Sequence, residues 1–180
     1  VEPVRREHMA RVAGLLGDWA VARREDPVER DRWVAAGFLH DALRDADPDR
    51  LRSRVDPPFR AYPGTVLHGP AAAQRLQESG VEDEDLLHAI RFHTLGAGDF
   101  GTLGLALYAA DFLEPGRRLQ DEWRADLRLR APSDLPGVVR EILEARIQYL
   151  VGQGRPLRHE TVVFWNRMTE GRAWASASEL

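Results

Sequence analysis

Apolar residues return at three- and four-residue intervals along most of this 180-residue chain, and no stretch shows the every-second alternation of a half-buried strand. Val4, Met9, Val12, Leu15, Leu16 and Trp19 form one inward stripe. A second helix is expected from Pro27 to Leu43, with Trp33, Val34, Phe38 and Leu39 facing inward. Further helices are expected from His68 to Ser79, from the acidic turn Glu82–Asp85 to His93, and from Leu103 to Phe112, where Pro115-Gly116 stops the run. The remainder reads as helices near Gln120–Leu127, Ser133–Val151 and Glu160–Thr169. Between them, residues 47–64 carry Pro48, Pro57, Pro58, Pro63 and Gly64 and read as mostly loop, with a short turn near Leu51, of the length that often serves as a lid. The fold class is therefore all-α.

Composition narrows the chemistry. The chain has no cysteine, which excludes disulfides, thiolate metal sites and a cysteine nucleophile and leaves His, Asp and Glu as side-chain metal ligands. Its net charge of −4 argues against a general nucleic-acid binder. All 25 basic residues are Arg, whose planar forks suit phosphate. No apolar run approaches the ~20 residues that span a bilayer, and Val1-Glu2-Pro3 lacks a signal pattern. We expect a cytoplasmic protein without membrane or nucleic-acid partners.

Against this background, four histidines and two aspartates stand out: His8, His40-Asp41, His68, His93 and Asp111. Neighbours on a helix diverge by about 100°, yet a long imidazole and a short carboxylate at His40-Asp41 can still meet at one ion. Adding His8 and Asp111 gives two neutral imidazoles and two carboxylates, which balance a divalent cation and leave room for water. Asp111 follows the apolar run Leu103–Ala110. An unpaired carboxylate buried there would cost roughly 2–5 kcal/mol, so a cation is its economical partner.

The ordered set His8, His40-Asp41, Asp111 resembles the signature of the HD superfamily of metal-dependent phosphohydrolases. The phrases Phe38-Leu39-His40-Asp41, Leu67-His68-Gly69-Pro70, Ala89–Thr94 and Tyr108–Arg117 are similar to its YqeK-type branch, the symmetrical bis(5'-nucleosyl)-tetraphosphatases. The resemblance implies a helical bundle forming one HD domain over residues 1–170, with 171–180 as a frayed tail. It implies hydrolysis of diadenosine tetraphosphate to two ADP, with iron as first choice of metal and manganese, cobalt or zinc as alternatives. On the same basis His8, His40, Asp41 and Asp111 hold an ion, and Asp41 accepts the proton of the attacking water. His68 and His93 either face the phosphates as catalytic groups or hold a second ion. Further substrate contacts are implied for Arg5, Arg44, Thr94, Gly96 and Arg117.

The chain departs from the branch in having Arg44 where Lys is usual, Leu95-Gly96-Ala97 after Thr94, and Gly104-Leu105 in place of a Glu-Lys pair. These changes leave the metal set intact and bear on the choice of nucleotide. The competing readings are another HD nucleotide phosphohydrolase or phosphodiesterase, and a catalytically silent nucleotide-binding HD domain. Other residues take plainer roles. His88 is read as a surface residue, His159 as the start of the last helix, Asp45 as an exposed acid, and Trp19, Trp33, Trp123 and Trp165 as core or homodimer packing.

Overall fold

A computed structural model describes residues 1–117 and 120–170, and the tail expected at 171–180 lies outside them. Among the described residues there are ten α-helices and no strand: α1 (Pro3–Ala22), α2 (Pro27–Leu39), α3 (Pro48–Arg52), α4 (Pro57–Arg60), α5 (His68–Glu78), α6 (Glu84–Phe92), α7 (Thr102–Leu113), α8 (Asp121–Arg130), α9 (Leu135–Gly152) and α10 (His159–Thr169). None is long and apolar enough to cross a membrane.

The apolar helix α7 lies at the centre, packed against α1, α2, α6, α8 and α9. Leu103, Ala106, Leu107, Tyr108, Ala109 and Ala110 are essentially inaccessible, so α7 is buried around most of its circumference. The stripe expected on the first helix meets it there except for Val4, which is 75 % exposed: Val12, Leu16 and Trp19 join Trp33 of α2 in the same core. Trp123 and Trp165 pack at its margin. These four tryptophans thus contribute to packing within the chain.

Further expectations change. Phe38, expected to face inward, is 48 % exposed. The second helix ends at Leu39 rather than Leu43, because beyond His40 the backbone tightens into successive three-residue turns, Ala42 N–H to Leu39 O, Arg44 N–H to Asp41 O and Ala46 N–H to Leu43 O. The proline-rich 47–64 segment is not mostly loop. Pro48 and Pro57 each open a short helix, where a missing N–H costs nothing, and a 3₁₀ turn spans Gly64–Val66. Leu51, Val55 and Phe59 bury against Leu67 and Ala71 in a small core of their own.

Candidate metal centre

Five helices deliver the six singled-out residues to one buried point. His8 projects from α1, His40 caps α2 with Asp41 in the turn after it, His68 opens α5, His93 caps α6, and Asp111 lies near the end of α7. All four histidines are buried, as is Asp41, and the Asp111 side chain is 17 % exposed.

Close backbone approach makes the convergence possible. A Cβ on Gly37 would come within 2.5 Å of Ala13 Cα, so only glycine lets α1 and α2 cross tightly enough to set the His8 and His40 rings 5.4 Å apart. Gly69 does the same for α5 and α6: a Cβ there would sit 2.8 Å from Ile90 O and 3.1 Å from the His93 ring.

The polar atoms fall into two groups that share Asp41. On one side His8 Nε2 lies 3.2 Å from Asp111 Oδ1 and 3.7 Å from Asp41 Oδ2. His40 Nε2 lies 3.8 Å from Asp41 Oδ2 and 3.9 Å from Asp111 Oδ1. On the other side, Asp41 Oδ1 is 3.0 Å from His68 Nε2 and 3.6 Å from His93 Nε2, and the two Nε2 atoms are 3.0 Å apart. Three sets of donors each lie within 4.8 Å of one another: His8 with His40 and Asp41, His40 with His93 and Asp111, and Asp41 with His68 and His93.

The tautomers follow from the outer ring nitrogens. Nδ1–H of His40 donates to Gly37 O at 2.9 Å and that of His93 to Ile90 O at 2.8 Å, which turns a bare Nε2 inward in each neutral ring. His8 Nδ1 faces Glu114 Oε1 at 3.5 Å. His8 Nε2 and His40 Nε2 are nevertheless buried without a hydrogen-bond partner. Lone pairs orphaned next to carboxylates are poorly placed in an empty protein interior and well placed around a cation, so these residues fit a divalent metal.

Protonation agrees with that fit. Burial, reinforced by His93, pushes His40 down to about 4, and burial likewise brings His68 down to about 4 against the pull of Asp41. Burial alone would raise Asp41 and Asp111. The neighbouring imidazoles outweigh it, His68 and His93 for Asp41 and His8 and His40 for Asp111, where the Arg117 charge adds to them, and both carboxyls stay well below the usual carboxylate range. At neutral pH the site thus presents neutral His40 and His68 beside ionised carboxylates, the form that metal binding requires.

The residues expected to touch substrate divide. Arg5 Nη1 is 2.6 Å from Asp41 Oδ2, and Arg117 Nη2 is 3.1 Å from Asp111 Oδ1, so both guanidinium groups border the centre. Thr94 Oγ1 lies 3.1 Å from His93 Nε2 and 3.5 Å from His68 Nε2. Arg44 stands off, donating to Thr65 O at 3.3 Å. Gly96 has a structural reason to be glycine, since its φ is +80° and a Cβ would strike the Phe164 ring. Asp45 is exposed, as expected, and faces Arg5 and the Glu2 amide rather than Arg44. His88 binds Asp99 at 2.9 Å, away from the centre.

Glu114 and Arg11 were not singled out by sequence. Glu114 is buried behind His8 and is held by Arg11 Nε at 2.6 Å and by the Gly116 amide at 2.8 Å. The signals available were a carboxylate just beyond Asp111, directly before the Pro115-Gly116 stop, and an arginine one turn after His8.

The HD-domain family profile matches residues 5–122. The chain is 30% identical over 139 residues to the symmetrical bis(5'-nucleosyl)-tetraphosphatase of Halalkalibacterium halodurans, covering 74% of this chain and 73% of that one. It is 31% identical over 163 residues to the Bacillus subtilis protein of the same name, covering 90% and 77%. A Clostridium acetobutylicum crystal structure, of a predicted HD superfamily hydrolase involved in NAD metabolism, superposes with a TM-score of 0.82 at 25% identity, covering 96% of this chain and 92% of that one.

Proposed function

The chain belongs to the HD-domain family, and from that premise we propose that it is a metal-dependent phosphohydrolase cleaving dinucleoside polyphosphates, foremost diadenosine tetraphosphate, symmetrically to two ADP. The observation that carries the reading is the pair of buried, unpartnered Nε2 atoms of His8 and His40 facing Asp41 and Asp111. The relatives named as symmetrical tetraphosphatases supply the substrate class.

In this reading His8, His40, Asp41 and Asp111 hold the ion. When bound, a divalent transition metal supplies Lewis-acid polarisation of a phosphoryl oxygen and lowers the pKa of water toward neutrality. The mixed imidazole and carboxylate set suits divalent iron, and also manganese, cobalt or zinc. Asp41 turns one oxygen toward His8 and His40 and the other toward His68 and His93, so His68 and His93 with Asp41 would hold a second ion if one were bound.

Asp41 Oδ1 takes the proton of the water that attacks one of the two central phosphorus atoms. The bond from that phosphorus to the central bridging oxygen breaks, the second ADP leaves with the electron pair on that oxygen, and the proton taken up by Asp41 passes to solvent. Arg117, half exposed at 3.1 Å from Asp111, and Arg5 beside Asp41 offset charge on the transferring group. On the His68–His93 side the Thr94 hydroxyl donates a hydrogen bond to His93 Nε2 at 3.1 Å.

Product analysis tests the reading. Protein purified without chelator should contain a transition metal and convert diadenosine tetraphosphate to ADP alone. AMP plus ATP, or no turnover with any of the four metals, rejects it.

A further inference from the structure

Some arginines of this chain are paired with acids: Arg11 with Glu114, Arg32 with Asp83, Arg128 with Asp121 and Arg130 with Glu141. Arg5 and Arg117, the guanidinium groups nearest the centre, are already engaged with Asp41 and Asp111. Arg146, Arg155 and Arg158 are distinguished by gathering at one place. None makes an ion pair with a carboxylate among the described residues, and all three line one cavity of about 370 Å³ between the Gly64–Val66 turn, Thr94-Leu95 and the segment joining α9 to α10.

Neutral groups hold two of them in place. Arg146 donates to Thr94 O at 2.8 Å and lies 5.1 Å over the Tyr108 ring. Arg158 lies 5.3 Å over the Tyr62 ring, whose hydroxyl is fixed on Glu160 at 2.7 and 2.8 Å. Like charges gathered in one cleft repel unless an anion joins them. Leu95, Leu150 and Pro156 give the same cleft apolar wall suited to a sugar or base.

The cleft also adjoins the metal centre at Thr94. Thr94 belongs to both: its hydroxyl is 3.1 Å from His93 Nε2, and its carbonyl anchors Arg146. A phosphate chain lying over His68 and His93 and continuing past Thr94 therefore enters a tract of three guanidinium groups.

We propose that this cleft seats the departing nucleoside diphosphate half of the substrate, with Arg155 and Arg158 on its phosphates and Arg146 at the junction with the centre. The proposal rests on the dinucleoside polyphosphate reading above. It accounts for selection of a substrate carrying a second nucleotide, because a mononucleotide held at the metal centre would leave these three cations unused.

The test titrates the metal-loaded protein calorimetrically with diadenosine tetraphosphate whose central bridging oxygen is replaced by methylene, which binds without being cleaved. In Arg155→Gln/Arg158→Gln the dissociation constant should rise at least tenfold, and its dependence on salt should become shallower than in the wild type. With the cleavable substrate, the loss in kcat/KM should appear in KM. Arg155→Lys/Arg158→Lys should recover part of the affinity, since charge is kept and the fork is lost. If the double variant melts early, Arg155→Gln alone carries the test, because that side chain is exposed and makes no hydrogen bond or ion pair among the described residues; at least a threefold rise is expected. Unchanged affinity and salt dependence in a folded variant overturn the proposal while leaving the enzymatic reading intact. A wild-type protein that neither binds the analogue nor turns over the tetraphosphate overturns both.

Discussion

Glu114 performs for His8 the service that the Gly37 carbonyl performs for His40. It lies 3.5 Å from the outer nitrogen of the ring and so favours the tautomer whose bare Nε2 faces inward. Burial would raise the Glu114 pKa, but Arg11 and the Gly116 amide hold it below its usual value, so the residue stays an acceptor. Glu114→Gln removes that charge while keeping the shape. Metal affinity should fall roughly 10- to 100-fold, the range for such supporting residues, read by competition against a chelating dye; unchanged affinity would contradict the role. His40→Ala and Asp111→Ala act on the inner set itself and should abolish metal uptake and turnover with circular dichroism little altered. The inner residues were legible because His and Asp on buried helices are chemically conspicuous. Glu114 was not, because a carboxylate at the end of a helix looks like an ordinary cap, and its partner Arg11 lies 103 positions away.

At the scale of elements, the centre depends on how closely helices approach, and hydrophobic periodicity is blind to that. The stripes of α1, α2, α6 and α7 were readable, as was the stop after α7, because spacing and proline act locally. The tight crossing of α1 on α2 at Gly37 was not, since it arises from a contact between distant segments. Residues 47–64 show a related limit: prolines that read as helix breakers serve as first residues of short helices once Leu51, Val55 and Phe59 have a surface to cover. Gly69→Ala tests the crossing of α5 on α6. Its added methyl meets the Ile90 carbonyl and the His93 ring, so the helices must part. Overpacking of this kind costs about 1–3 kcal/mol. For a chain of this size that corresponds to a melting temperature lower by roughly 2–12 °C. Turnover should fall more than stability does, because His68 and His93 move apart; full activity in a destabilised variant would show that their 3.0 Å spacing is not required.

Across the whole molecule, the same burial that creates the metal centre makes the metal-free protein sensitive to acid. His40 and His68 titrate near 4 when folded, against 6.5 when the chain is free. Between those values the unfolded chain binds more protons than the folded one, so stability is fully present above about pH 6.5 and is lost as pH falls toward 4. Asp41 and Asp111, depressed below the ordinary 3.8, add a loss of the same sign at still lower pH. Protein stripped with a chelator and then dialysed free of it should melt at progressively lower temperature from pH 6.5 to 4. His40→Gln, with no proton to gain at that position, should flatten part of the slope. Metal at neutral pH should act in the opposite direction, since an ion that binds only the folded state at a hundred times its dissociation constant adds about 2.7 kcal/mol. Melting of the metal-free wild type that is flat or rising from pH 6.5 to 4 would mean that His40 and His68 are not the buried neutral bases the structure makes them.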